Sequence, residues 1–179
     1  MLVAQGGAPR ASISMGQGNN DAAEEIMGNC FTCLMTLAVL LAAAFWIWGE
    51  PLLWLFGASE ETIAYALPYS SGSVFVMLAL GMNLFVTTQG FTRFSMITVL
   101  VGAVTNIVLD PIFIYGLNMG VQGAALATVI SQAVSGVWVL RFLLGKRTRL
   151  RLKAAYLRPK CRVMLPVLGL GLAPFVMQA

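Results

Sequence analysis

The stretch that decides the fold is GAVTNIVLDPIFIYGLNMGVQGAALATVISQ, residues 102–132. It places Asp110 inside an otherwise largely apolar run from 94 to 115, which is long enough to be most of a bilayer crossing. A carboxylate at that depth costs about 2.5–3.5 kcal/mol on insertion scales, so it needs a partner, a proton, a cation or water. The run therefore predicts a membrane helix that carries a functional acid.

Two neighbours of this acid strengthen the prediction. Asn106 lies four residues before Asp110, so on a helix the amide and the carboxylate share one face. Pro111 has no N–H to give the carbonyl of Ile107, which leaves that oxygen free to face an ion or a hydroxyl. Together these groups predict a cation or proton site. The alternative is that Asp110 caps a helix end or pairs with a neighbouring helix for packing alone.

The composition excludes an ordinary soluble protein. Hydrophobic residues make up 59% of the chain and charged residues only 10%, whereas soluble domains are about 25% charged. We therefore expect an all-α integral membrane protein. Its first residues lack the basic start and apolar core of a signal peptide, so the first crossing would act as its own insertion signal.

Hydrophobic runs predict four transmembrane helices within residues 29–144. They span about 29–48, 63–88, 94–115 and 121–144, and Glu50-Pro51 is expected to end the first. Residues 1–28 are interpreted as a loop that leads into a helix, residues 145–162 as a basic loop, and residues 163–179 as the truncated start of a further transmembrane helix.

The basic residues predict the orientation. With four crossings, all eleven Lys and Arg residues fall on one side, and none lies in the loops 49–62 or 116–120. By the positive-inside rule, that side, including the loop 145–162, is cytoplasmic in a multi-pass protein of the plasma membrane. The alternation of Arg and Leu in this loop also resembles a nucleic-acid patch, but the flanking hydrophobic runs favour contact with anionic lipid headgroups.

Little in the sequence supports an enzyme. The chain has no histidine, the commonest metal ligand and general base. Cys30 and Cys33 form a C-x-x-C that opens an apolar helical run, and we interpret them as ordinary membrane-helix residues rather than a redox or metal site. No phosphate loop occurs. We expect no catalytic residue and no nucleic-acid partner.

The stretch NIVLDPIFIYGLNMGVQGAALATVISQ resembles the multidrug and toxic compound extrusion (MATE) family. Helices five and six of that family carry an N-x-x-L-D-P-x-F-I pattern followed by G-V-x-G-A-A-x-A-T. Three further segments agree in order and spacing: GGAPRASISMGQGNNDAAEEI resembles the end of helix two and the next cytoplasmic loop, PLLWLFGASEETIAYALPY the turn between helices three and four, and QGFTRFS the loop before helix five.

The resemblance implies part of one six-helix lobe in a two-lobe transporter of about twelve helices, from the end of helix two to the start of helix seven. Asn106 and Asp110 match the cation or proton site of the first lobe. Tyr65 and Thr128 are similar in position to hydroxyl-bearing members of that site. For Tyr65 the alternative is an interfacial anchor, and for Thr128 a small residue that permits helix contact. Pro111 would be the point at which the helix bends.

The implied function is a proton- or sodium-coupled antiporter that exports small amphiphilic or cationic molecules across the cytoplasmic membrane. It would use no cofactor and no metal other than possible sodium, and transport would need the first helix, which carries a further acid, and the second lobe. Two alternatives stay open: a lipid-flippase-like exporter of the same superfamily, and a truncated fragment that transports nothing.

Overall fold

The computed structural model describes residues 2–55, 72–145, 148–157 and 160–178. Over these ranges all regular structure is helical, so the predicted all-α class is confirmed. Six α-helices are described: α1 (Leu2–Gly16), α2 (Asn20–Leu55), α3 (Ser73–Thr88), α4 (Thr92–Pro111), α5 (Gly120–Leu144) and α6 (Cys161–Gln178). A π-helical segment (Ile112–Gly116) directly follows α4, and a 3₁₀ turn (Ala154–Tyr156) precedes α6.

The beginning of the chain is more helical than the residues alone predict. Leu2–Gly16 is a helix and α2 already begins at Asn20, so the loop expected from the residues alone is limited to the turn at 17–19, and a helix stands before it where the family resemblance implies the end of one. The small residues of α1 that suggest a loop, Gly6, Gly7, Ala8 and Ala11 among them, are buried against other helices. They are small because neighbouring helices approach closely there.

Proline also fails to end the first predicted crossing. Helix α2 continues through Pro51 to Leu55, so the break expected at Glu50-Pro51 is wrong. Helix interiors in membranes tolerate proline when other groups satisfy the freed carbonyl. The second predicted crossing is described only in its later part, as α3, and the last helix begins at Cys161 rather than at Val163.

Three of the described helices are long and apolar enough to cross a membrane: Asn20–Pro51, Thr92–Gly116 and Gly120–Leu144. Large apolar side chains on their outer faces are exposed in the isolated chain, including Trp46, Leu100, Ile107, Val121 and Val137. Such a surface is stable only when lipid or another protein surface covers it. The chain is therefore a multi-pass integral membrane protein.

Helices α1, α2 and α3 pack together at the centre of the bundle, with α4 and α5 on one side and α6 on the other. The central core contains Met27, Met82 and Phe85, all fully buried. Helix α4 is attached to α5 by aromatic stacking, since the rings of Phe94 and Phe142 lie 3.9 Å apart between centroids. The α4–α5 pair carries the residues of the central stretch.

Helix α6 packs along α1 through direct backbone contact. A side chain at Gly171 would collide with the carbonyl of Leu2, and one at Gly6 would collide with the carbonyl of Val167. Glycine at both positions therefore allows the two helices to meet without intervening side chains. Helix α6 is thus packed tightly against α1.

Candidate functional site

The centre of the candidate site is the pair Asn106 and Asp110 on α4. The Asn106 side-chain nitrogen donates to Asp110 Oδ1 at 3.3 Å, and both residues are half-buried. The four-residue spacing therefore brings the amide and the carboxylate together, as helix geometry predicts. At this distance the hydrogen bond is weak, so the carboxylate is readily available to another partner.

The facing helix α5 contributes Thr128. The same Asn106 nitrogen lies 3.5 Å from Thr128 Oγ1, and this hydroxyl donates to the carbonyl of Ala124 at 2.9 Å. Because its proton is directed to Ala124, the oxygen of Thr128 presents lone pairs towards Asn106. The structure thus joins three of the four predicted site residues through one amide, across two helices.

Pro111 marks a change in the helix itself. Helix α4 ends at Pro111, and the next five residues, Ile112–Gly116, form a π-helical segment. A proline nitrogen cannot donate to the carbonyl of Ile107, and a wider turn beside it is a common device where a helix carries a functional group. The carboxylate of Asp110 therefore lies next to the point where the helix is least regular.

A cavity of about 230 Å³ lies between α3, α4 and α5. Its polar lining comes from Asn83, Thr98, Asn106, Thr128, Ser131, Gln132 and Ser135, and its apolar lining from Ala79, Leu80, Val99, Gly102 and Ala103. Asp110 does not line the cavity. Asn106 both lines the cavity and donates a hydrogen bond to Asp110, so it connects this carboxylate to the cavity wall.

Asn83 is one of five polar lining residues that sequence reasoning missed; the others are Thr98, Ser131, Gln132 and Ser135. The side-chain oxygen of Asn83 is buried and has no hydrogen-bond partner among the described residues. A buried polar atom without a partner costs about 1–3 kcal/mol, so its presence calls for an explanation. The only sequence signal for Asn83 is a single amide in the apolar run of α3.

Three other positions considered in the sequence analysis are Tyr65, Cys30 and Cys33. Tyr65 lies outside the described residues, and so does the part of its crossing that would place it. Cys30 and Cys33 are free thiols, the first buried and the second half-buried. In the described part of the chain, no group of three or more Cys, Asp or Glu side chains could hold a metal ion.

Comparison with known proteins identifies the family. The sequence profile described as MatE matches residues 1–112, well over half of the chain. The chain belongs to the MATE family. Members of this family are transporters, not enzymes.

Individual relatives agree with this assignment. The chain is 31% identical over 132 residues to the multidrug export protein MepA of Staphylococcus saprophyticus, a match that covers 72% of the chain and 29% of that protein. MepA of Staphylococcus haemolyticus is 33% identical over 124 residues, which cover 67% of the chain and 27% of the relative. The chain therefore spans less than a third of the length of these curated relatives.

A solved structure confirms the architecture. The crystal structure of a MATE transporter in the bent conformation superposes with a TM-score of 0.89 at 25% identity, over 99% of the chain and 41% of that transporter. The described helices thus correspond to part of a larger bundle. The predicted partial lobe of a two-lobe transporter is the fold of this MATE chain.

Proposed function

We propose that this MATE chain forms part of a cation-coupled multidrug antiporter in which Asp110, Asn106 and Thr128 bind the coupling proton or sodium ion. The observation that carries the proposal is the position of the Asn106 amide between two oxygens on different helices, 3.3 Å from Asp110 and 3.5 Å from Thr128. The NH₂ group of Asn106 carries partial positive charge. A cation at its position would have the same two neighbours, the Asp110 carboxylate and the Thr128 hydroxyl.

The donor set fits a hard monovalent cation or a proton. Carboxylate and hydroxyl oxygens suit sodium, and rotation of the Asn106 amide by a half-turn would add its oxygen to them. A proton on Asp110 would instead make the carboxyl group a donor. Either ion neutralises the acid and removes its attraction for the Asn106 amide, which changes the contact between α4 and α5. Tyr65 would supply a further hydroxyl.

Pro111 provides a route from ion binding to a change of shape. The π-helical segment Ile112–Gly116 follows the proline, and a helix bends most easily at such a point. A ligand shifts an equilibrium between two conformations only through its different affinity for each. We propose that the ion favours the conformation in which Asp110 is released from Asn106 and α4 bends beside Pro111.

The proposed substrates are small amphiphilic or cationic molecules. The curated relatives are named multidrug export proteins, and the cavity beside Asn106 combines apolar walls with a few amides and hydroxyls, as small-molecule sites do. Export needs two bundles that move against each other, so the activity belongs to the chain together with a second lobe and a further acidic helix.

The proposed location is the plasma membrane, with lipid around the exposed apolar faces. The segment 145–162 contains eight of the eleven basic residues, and by the positive-inside rule such a segment favours the cytoplasmic side. Its arginines would contact anionic headgroups.

Cation-dependent stability tests the proposal directly. The purified chain in detergent is heated in sodium and in potassium at equal ionic strength, and across pH at fixed salt. We expect the unfolding midpoint to rise either in sodium relative to potassium or on protonation at lower pH, because a ligand that binds the folded state stabilises it. Asp110→Asn should abolish that shift. Glu50→Gln, which removes an exposed carboxylate from α2, is the matched control and should keep it.

An equal shift in Asp110→Asn and in the unaltered chain would remove Asp110 from ion binding. In a full-length transporter that carries the same N-x-x-L-D-P sequence, the matching substitution should abolish coupled efflux while membrane insertion stays intact.

A further inference from the structure

The segment Thr148–Lys160, here called the strap, connects α5 to α6, and the structure describes its residues 148–157 and 160. Eight of the eleven basic residues lie in the range 146–162, in or beside the strap, which makes it a typical solvated loop by sequence. In the structure it is bound to the rest of the bundle over most of its length. None of these contacts takes part in the proposed ion site.

The strap begins on Gln89, in the turn between α3 and α4. Gln89 Oε1 accepts a hydrogen bond from the main-chain N–H of Leu150 at 2.9 Å, and Thr148 Oγ1 lies 2.5 Å from the same oxygen. The Gln89 nitrogen donates to the carbonyl of Phe85 at 3.0 Å. Gln89 is 2% exposed and Leu150 is 0% exposed, so this first anchor is buried.

The rest of the strap lies along one face of α2. Glu24 Oε1 accepts from the N–H of Arg151 at 3.0 Å, and Asn29 Oδ1 accepts from the N–H of Lys160 at 2.6 Å. Thr32 Oγ1 lies 2.7 Å from the carbonyl of Leu157 and donates towards it. The spacing of positions 24, 28 and 32 is that of a single helical stripe. Each of these contacts is made with the main chain of the strap.

Gly28 lies in the middle of this stripe and is buried. A Cβ atom there would lie 2.7 Å from the carbonyl oxygen of Tyr156 and 3.0 Å from its carbonyl carbon. Glycine inside a helix costs about 1 kcal/mol relative to alanine. At this position its missing side chain makes room for the backbone of the strap, so the face of α2 has the shape of a groove.

Lysine side chains close the strap over the beginning of α2. Lys153 contacts Glu24 and lies 3.6 Å from Asp21, and Lys160 Nζ lies 2.6 Å from Glu25 Oε1. Glu24 is only 6% exposed, and a buried carboxylate is stable only when it is paired, so Lys153 and the N–H of Arg151 stabilise it there. Three of the acidic residues of the chain are thus used to hold the strap.

The strap ends where α6 begins. The carbonyl of Lys160 accepts from the N–H groups of Val163 at 2.9 Å and of Met164 at 3.1 Å, so the residue held by Asn29 also starts the helix. From these contacts we propose that the stripe of Glu24, Gly28, Asn29 and Thr32 is a groove that binds the strap and thereby holds α6 against α1 and α2 in this conformation. Helix α6 then cannot shift against α2 unless the strap detaches.

Amide hydrogen exchange on the whole chain in detergent or nanodiscs tests the proposal, without added cation or substrate. The N–H groups of Leu150, Arg151 and Lys160 should exchange slowly. Gly28→Ala should raise their exchange by about tenfold or more, because its methyl group occupies the place of the Tyr156 backbone. The first amides of α6, at Val163 and Met164, should exchange faster in the same variant. Gly169→Ala, which has open space around the added Cβ, should change neither.

Thr32→Val is the second variant, because valine keeps the shape of threonine and removes only the hydroxyl bound to Leu157. It should raise strap exchange to a smaller degree while exchange in α5 stays unchanged, which excludes general unfolding. Fast exchange of the strap in the unaltered chain would overturn the proposed groove. Loosening of the strap without any change at Val163 and Met164 would overturn the proposed coupling to α6. Neither outcome depends on whether Asp110 binds an ion.

Discussion

Leu150 donates its main-chain N–H to the side-chain oxygen of Gln89 at 2.9 Å, although 61 residues separate the two. The contact is buried, and the same glutamine also donates to Phe85 at the end of α3. One side chain therefore connects the turn between α3 and α4 to the segment that leaves α5. A polar group with this many buried partners should contribute strongly to stability.

Gln89→Ala is expected to lower the free energy of unfolding by about 2–4 kcal/mol, because the N–H of Leu150 and the carbonyl of Phe85 lose a buried partner. The measurement is chemical or thermal unfolding of the purified chain in detergent. Gln17→Ala, at an exposed turn position, is the control and should change stability by less than about 0.5 kcal/mol. Similar values for the two variants would show that Gln89 is dispensable.

Substitution by leucine should affect stability differently at the two asparagines beside the cavity. Asn106→Leu removes the group that joins Asp110 to Thr128, so we expect a loss of about 1–2 kcal/mol. Asn83→Leu replaces a side chain whose buried oxygen has no partner in the described structure, so we expect stability to stay equal or to rise by about 1 kcal/mol. Unfolding midpoints of both variants, measured side by side, check this. A larger loss for Asn83→Leu would contradict it.

The contact between α1 and α6 predicts that stability depends strongly on side-chain size at the glycine of α6 that meets α1. Gly171→Ala should destabilise the chain by about 1–3 kcal/mol, because its methyl group would meet the backbone of α1 rather than a movable side chain. Gly169→Ala lies two residues earlier on the same helix with nothing near its Cβ. It should be neutral or stabilising by up to about 1 kcal/mol. Equal effects at the two positions would mean that the helices do not touch there.

The ion pair of Lys153 predicts a pH dependence in the alkaline range. A hydrogen bond with Glu24 raises the pKa of Lys153 above its ordinary value, and the charges of Glu24 and Asp21 add to this effect. A raised pKa in the folded state means that the stabilisation is complete below the pKa of the unfolded chain and is lost as pH rises through the folded value. Unfolding midpoints measured from about pH 9 to 12 should therefore fall more steeply in the unaltered chain than in Lys153→Met. Parallel curves would contradict this assignment.

The sequence predicts those features of the fold and of the site that depend on residues close together in the chain. The helical class and the pairing of Asn106 with Asp110 follow from hydrophobic runs and from a four-residue spacing, and the structure contains both. Thr128 belongs to the predicted site only through the family resemblance, and only the packing of α5 on α4 brings it near Asn106. Whether these residues bind an ion stays a prediction.

Other features could not be read from the sequence because they join distant segments. The contacts of the strap span 59 to 135 residues of chain, and no local pattern in 148–160 distinguishes a bound segment from a solvated one. The small residues of α1 indicate a loop by local propensity, whereas their packing against α6 makes them helical. Pro51 likewise ends a helix by propensity alone, and the surrounding structure overrides that preference.

The groove on α2 holds the strap through peptide groups rather than through most of its side chains. Peptide groups are the same whichever amino acid carries them, so the strap can change its sequence at most positions and still dock. The helix that receives it has no such freedom at Gly28, Asn29 or Thr32. Among related transporters, divergence should therefore accumulate in the connecting segment, while its receptor on α2 evolves slowly.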